Sequence, residues 1–140
     1  LLAEPIRLVD GGLQKRCFTY IDDGIAWLMK IIENKDNKLD GQIFNIGNPR
    51  NEATVKELAI KLKTMFTNDS RTAHFAKHSE IMEVFSKDFY GEGYQDIDRR
   101  VPSIAKAREL IGWEPKVDLD TALRRTLDYY LATCLPQTGQ

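Results

Sequence analysis

The chain has 140 residues, 42% hydrophobic and 29% charged, a globular composition with enough length for one core and one domain. Its formal net charge of -1 leaves no basic field to recruit nucleic acid or a membrane surface, so any anion must be met by local groups. No apolar run approaches the roughly 20 residues that span a bilayer, nothing at the start resembles a signal peptide, and Cys17 and Cys134 lie far apart without CxxC spacing, which points to free thiols in the cytoplasm.

Leu1-Leu2-Ala3 starts without an initiator Met and as though inside a helix, so the chain is expected to be a fragment whose missing N-terminal part carries a cofactor. Pro5 to Val9 alternates like a short strand and closes on the turn Asp10-Gly11-Gly12. Cys17 to Ile21 reads as a second extended segment, so the region is either an ordinary hairpin with exposed basic residues or a place where Arg7, Lys15 and Arg16 converge. A helix then starts at Asp22-Asp23 and runs to about Glu33, with Ile25, Leu28, Met29 and Ile32 spaced as one buried face. The polar loop Asn34 to Gly41 leads to a compact strand, Gln42 to Ile46, stopped by Gly47-Asn48-Pro49.

Thr54-x-x-Glu57 is a capping box for a helix whose stripe is Val55, Leu58, Ala59, Leu62 and Phe66. Asn68 to Ser79 reads as a loop; its His74 and His78 have no third partner to suggest a metal and are expected to be solvated. Glu80 to Ser86 alternates like a strand.

The stretch from Tyr90 to Pro115 carries the most chemistry. Gly91 and Gly93 allow a tight excursion that presents Tyr94, and Asp98, Arg99 and Arg100 follow on a loop before a helix. A guanidinium held there can grip a carboxylate or phosphate through its planar fork, although an arginine pair before a helix is often merely solvated. Ser103 is the expected N-cap, Ile104, Ala107, Leu110 and Ile111 the buried stripe, and Gly112 the stop. Trp113 reads either as core over that helix or as a ligand stack, and Pro115 redirects the chain. Asp118 or Asp120 caps a last helix with Leu123, Leu127, Tyr130 and Leu131 on one face, before a tail, Pro136 to Gln140, expected to be disordered. The sequence contains no GxGxxG after a strand, no P-loop, no HExxH, no GxSxG and no repeat.

The run GYQD-x-x-x-R-x-PSI with the following Gly-Trp-x-Pro resembles the C-terminal part of the nucleotide-sugar branch of extended short-chain dehydrogenases. Within that branch it is most similar to the UDP-glucuronic acid decarboxylase domain of bifunctional decarboxylase/formyltransferases of lipid A modification. The resemblance extends from about Ile6 to Thr133. It implies an α/β fold: the C-terminal substrate-binding part of an extended short-chain dehydrogenase, with short strands and about four helices, lacking the N-terminal Rossmann half.

It implies further that Arg7, Leu8, Val9, Asp10, Gly11, Gly12, Leu13, Gln14, Lys15 and Arg16 lie along a UDP-sugar, that Tyr94 contacts it, and that Arg100 is the catalytic arginine, assigned in the family as proton donor. An arginine is a poor general acid because its pKa lies above about 12, so holding the carboxylate and stabilising an enolate is the safer role. Relatives carry Lys where this chain has Leu13 and His where it has Arg99. In such decarboxylases bound NAD+ oxidises the sugar at C4 and the resulting β-keto acid loses CO2 to give a UDP-4-keto-pentose. The tyrosine and lysine of that hydride chemistry and the glycine-rich cofactor loop are absent here, so the chain alone is expected neither to bind NAD tightly nor to turn over, and to hold no metal. The helix and strand over 22–46 would face the missing Rossmann half, leaving an apolar seam that favours a homo-oligomer or exchange of elements. Two alternatives stay open: part of an NAD-dependent nucleotide-sugar epimerase or dehydratase, and a non-enzymatic nucleotide-sugar or protein-binding module.

Overall fold

The computed structural model describes residues 4–76 and 80–134, apart from the side chains of Phe75 and Cys134; His78 and the 136–140 tail lie outside the described residues. In chain order the elements are β1 (Ile6–Val9), β2 (Lys15–Cys17), α1 (Ile21–Glu33), β3 (Glu52–Thr54), α2 (Val55–Asn68), α3 (Ala73–Ala76), β4 (Ile81–Val84), α4 (Ser86–Tyr90), α5 (Ala105–Ile111) and α6 (Leu119–Cys134), with short 3-10 turns at Asp10–Gly12 and Lys35–Asn37. This is an α/β chain of short strands; α1, α2, α5 and α6 are the expected helices, and α3 and α4 add single turns. No helix among the described residues is long and apolar enough to cross a membrane.

The chain forms two units, one from the described residues of Leu1–Arg16 and Ala53–Arg100, the other from Cys17–Glu52 and the described residues of Val101–Gln140. In the first, β1 pairs in parallel with β4, Ile6 opposite Ile81 and Val9 opposite Val84. Of the two readings of this region, the ordinary hairpin is not formed: the partner of β1 lies far downstream. The turn between β1 and β2 has Asp10, Gly11 and Gly12 at positive φ (47°, 73° and 64°), and β1 takes its ladder from β4 instead of from β2. Leu8 is fully buried, with Ala53, Ala59, Ala76 and Thr72 also in the interior. The α2 capping box is formed in both directions between Thr54 and Glu57, and of its apolar stripe Ala59 is buried and the larger residues half-buried.

The second unit is centred on Ile104, Ala107 and Trp113, with Trp27, Phe44 and Ile111 packed against them. Buried Asp23 ties it together: its carboxylate accepts from the backbone amides of Lys116 (2.9 Å) and Val117 (3.0 Å), while its carbonyl accepts from Trp113 Nε1 (3.1 Å). Gly112 ends α5 in the left-handed region at φ 57°, as expected, but the N-cap is Ile104 rather than Ser103 and makes no side-chain bond. Asp118 caps α6, accepting from the Thr121 amide and hydroxyl, which also holds its carboxyl below the usual range.

Two expectations fail in this unit. Gln42 to Ile46 is not a strand, because it finds no partner strand among the described residues, and Ile43 is 84% exposed. The α1 stripe is helical but not buried, unlike the reading from its spacing: Ile25, Leu28, Met29 and Ile32 are all exposed because no described residue of the unit covers that face, which is the open apolar seam that the family resemblance implied. Leu110 and Tyr130 are likewise exposed, whereas Leu127 and Leu131 are buried.

Candidate functional site

The first unit carries every residue singled out for sugar-nucleotide chemistry, on two segments: β1 through β2, and the loop after α4. Backbone bonds join them. The Lys15 amide donates to the Asp98 carbonyl (2.7 Å), the Arg100 amide donates to the Lys15 carbonyl (3.3 Å), and Lys15 and Arg99 form a parallel bridge. The basic stretch and the double-arginine loop are thereby held side by side.

On β1, Arg7 and Leu8 point oppositely by the period of a strand: Arg7 is exposed and without a side-chain partner among the described residues, and Leu8 is fully buried, so only its backbone is available to a ligand. Val9 is half-buried opposite Val84, and its carbonyl accepts from Gln14 Nε2. Asp10 accepts from the Ser86 amide (2.9 Å) and bonds Ser86 through its side chain, which lowers the Asp10 carboxyl below the usual range. It is thereby engaged with the first residue of α4. Leu13 is largely exposed.

The two turn glycines differ in what they tolerate. A Cβ on Gly12 would lie 3.1 Å from the Lys56 backbone nitrogen and 3.2 Å from Leu8 Cδ2, whereas one on Gly11 meets only the Glu83 carboxylate at 3.7 Å. Both have positive φ, so Gly11→Ala is expected to cost strain alone, about 1 kcal/mol, and Gly12→Ala about 2–3 kcal/mol because backbone must move as well. Urea unfolding midpoints of the two variants check this; equal losses would mean the α2 start yields freely.

In the second segment Gly91 (φ 92°) and Gly93 (φ 85°) make the expected excursion, and residues 91–100 are all exposed. Tyr94 stacks on Tyr90 with ring centroids 4.3 Å apart, and Phe89 meets Tyr90 edge-on at 4.8 Å. The Tyr94 hydroxyl is pushed above the usual tyrosine range by desolvation first and by the Asp96 charge second; like any tyrosine it is a proton donor at neutral pH. Arg100 has a backbone tie to Lys15 and no side-chain partner among the described residues.

Arg16 is placed otherwise than a free substrate contact. Its guanidinium donates to the Lys15 carbonyl (2.8 Å), the Ile97 carbonyl (2.8 Å) and Asp96 Oδ1 (2.6 Å). Asp96 and Tyr90 were given no role in reading the sequence; the four-residue spacing of Tyr90 and Tyr94 and the place of Asp96 in the GYQD run are the signals that were available. A cleft of about 700 Å³ lies in the second unit, lined by Asp22, Lys30, Trp113, Lys116, Asp118 and Arg125 among others; its mixed charge includes none of the expected site residues.

Neither glycine pair makes a dinucleotide cradle. Gly11-Gly12 leaves a strand but opens only a three-residue turn, and Gly91 and Gly93 follow a five-residue helix, so no long helix start is offered to a pyrophosphate.

A family model described as GDP-mannose 4,6 dehydratase matches residues 3–126. The chain is similar to the PbgP3 protein of Burkholderia pseudomallei, with a TM-score of 0.80 and 41% identity over 93% of this chain and 35% of that one. It is also similar to the UDP-glucose 4-epimerase of Thermotoga maritima determined with UDP-glucose (TM-score 0.73, 28% identity, 95% of this chain and 37% of that one). The UDP-glucuronic acid 4-epimerase of Bacillus cereus, in complex with UDP-glucuronic acid and NAD, shares the fold (TM-score 0.70, 24% identity, 94% of this chain and 36% of that one). The chain thus spans about a third of the length of these solved chains and corresponds to their C-terminal part. It belongs to the GDP-mannose 4,6 dehydratase family, within the nucleotide-sugar branch of the extended short-chain dehydrogenases.

Proposed function

We propose that this chain is the substrate-binding part of an NAD-dependent UDP-glucuronate decarboxylase, with the Arg7 to Arg16 stretch and Tyr94 along the UDP-sugar and Arg100 at the sugar carboxylate. The observation that supports it best is the pair of backbone bonds from Lys15 to Asp98 and Arg100, which keeps the anion-binding stretch beside a guanidinium that has no internal partner among the described residues. A diphosphate needs donors and positive charge, which Arg7, Lys15 and the turn backbone can offer; a second, separate anion such as a carboxylate needs its own cation.

The dinucleotide supplies the oxidation at C4, and its site is built from residues other than these. What this chain contributes is the handling of charge. Arg100 holds the carboxylate while the neighbouring position is a ketone. When the carbon–carbon bond breaks, its electron pair moves toward the ketone oxygen and CO2 leaves; the same guanidinium then faces the enolate and orients the water that protonates carbon. Tyr94, kept protonated, donates a hydrogen bond to the bound sugar-nucleotide.

The test is to supply UDP-glucuronate and NAD+ to the intact protein and measure CO2 together with the UDP-sugar formed. CO2 in step with a UDP-4-keto-pentose is expected. The similarity to two 4-epimerases favours one other outcome, interconversion at C4 with the carboxylate retained; sugar epimerisation without CO2 would replace the decarboxylase reading with that one.

A further inference from the structure

We infer that Tyr90 is a positioning residue for Tyr94, its ring serving as the platform that fixes the direction in which the Tyr94 hydroxyl meets the bound sugar-nucleotide; the ligand side of this inference rests on the function proposed above. The two rings stack, with centroids 4.3 Å apart and planes 28° from parallel. One ring belongs to a helix with its own anchors, the other to a loop with few.

Tyr90 is the last residue of α4, and that helix is held at both ends. At its start the Asp10 carboxylate accepts from the Ser86 amide (2.9 Å) and from the Ser86 side chain; at its end the Gly91 amide donates to the Lys87 carbonyl (3.1 Å). Phe89 braces Tyr90 edge-on, its ring turned 82° to that of Tyr90. Because Asp10 stands in the turn after β1, the platform is tied to the stretch that the proposed function lays along the UDP-sugar.

Tyr94 depends on that platform. Between the two rings the chain doubles back in three residues, with Gly91 at φ 92° and Gly93 at φ 85°. A Cβ on either glycine would meet nothing within 4 Å, so both are needed for their backbone angles and not for room. These angles are what return Tyr94 over Tyr90. The Tyr94 ring is 40% exposed and its hydroxyl has no hydrogen-bond partner among the described residues, so the stack sets the ring and the hydroxyl stays available to a ligand. An exposed ring without such a neighbour would sample several rotamers, only one of them aimed at the ligand.

The experiment uses the intact protein and the variants Tyr90→Phe, Tyr90→Leu, Tyr94→Phe and the double Tyr90→Leu with Tyr94→Phe. Tyr90→Phe keeps the ring face, whereas Tyr90→Leu keeps apolar bulk without one, and Tyr90 is exposed enough that neither change threatens the fold. UDP-glucuronate should bind Tyr90→Phe within about twofold of the unchanged protein and Tyr90→Leu about fivefold more weakly, the scale of one aromatic pair. In turnover the Tyr90→Leu loss should fall on KM, with kcat for CO2 release within about twofold. The double variant should bind no more weakly than Tyr94→Phe alone, because a platform has nothing to aim once the hydroxyl is gone. Additive losses in the double, or a Tyr90→Phe variant as weak as Tyr90→Leu, would make Tyr90 a ligand contact in its own right and overturn the positioning role.

A second readout needs no ligand. In the NMR spectrum of ring-labelled tyrosine, the Tyr94 signals, identified by their loss in Tyr94→Phe, should carry a ring-current shift that survives Tyr90→Phe and disappears in Tyr90→Leu. Tyr94 signals that ignore Tyr90→Leu overturn the platform whatever the enzyme does. Conversely, a ring-current shift lost as expected in a protein that does not bind UDP-glucuronate keeps the platform and rejects the proposed function.

Discussion

Arg100→Ala is expected to lower the rate of CO2 release from UDP-glucuronate by about a hundredfold or more, the scale on which removing a preorganised charge from a developing oxyanion acts. The side chain has no structural work to lose: it is exposed and without a side-chain partner among the described residues, and the Lys15 tie runs through its backbone amide. Stability should therefore change by less than about 0.5 kcal/mol, as for most surface substitutions. Arg100→Lys should recover only part of the rate, because an ammonium keeps the charge but not the bidentate geometry. UDP-glucose, which lacks the carboxylate, should bind the alanine variant as before. CO2 release within a few-fold of the unchanged protein would take Arg100 out of the catalytic role, while a parallel loss of UDP-glucose binding would make it a phosphate contact instead.

What could be read in the sequence divides by the range of the interaction that decides it. The capping box at Thr54 and Glu57, the left-handed stop at Gly112 and the positive-φ excursion at Gly91 and Gly93 are set within a few residues, and each is found where the local pattern puts it. Strand pairing is not local. The alternation in Pro5 to Val9 identifies a strand but not that its partner is Ile81–Val84, because a glycine turn after a strand does not say which later segment completes the ladder.

Burial failed for a related reason. The spacing of Ile25, Leu28, Met29 and Ile32 shows that α1 has an apolar face, yet spacing says nothing about whether the covering surface belongs to the same stretch of chain. The same holds for Gln42 to Ile46, read as a strand from its sequence but without a ladder to join among the described residues. At the candidate site, glycine and arginine content drew attention to two segments that backbone bonds hold side by side, whereas the division of labour among the cations was invisible. Arg16 and Arg100 look equivalent as letters; one is spent on a carboxylate and two carbonyls and the other is not. Only the contacts to Asp96 and Ile97 distinguish them.

Trp113→Ala should be among the most damaging single changes to the second unit, costing about 3–5 kcal/mol in urea unfolding. Trp113 is 2% exposed and stands in the cluster with Ile104 and Ala107, so truncation opens a cavity the size of an indole at its centre. The loss goes beyond packing, because Nε1 donates to the Asp23 carbonyl while the Asp23 carboxylate receives the Lys116 and Val117 amides. Trp113 and the chain just beyond it thus grip one residue of α1 from three directions. Trp113→Phe separates the two contributions: it keeps most of the apolar volume and strands the carbonyl, for an expected cost of about 1–3 kcal/mol. The sequence alone left this residue open as core or as a stacking surface for a ligand. If both variants unfold at nearly the unchanged urea concentration while UDP-sugar binding falls, the buried indole described here is not what holds the unit together, and the ligand role would have to be restored.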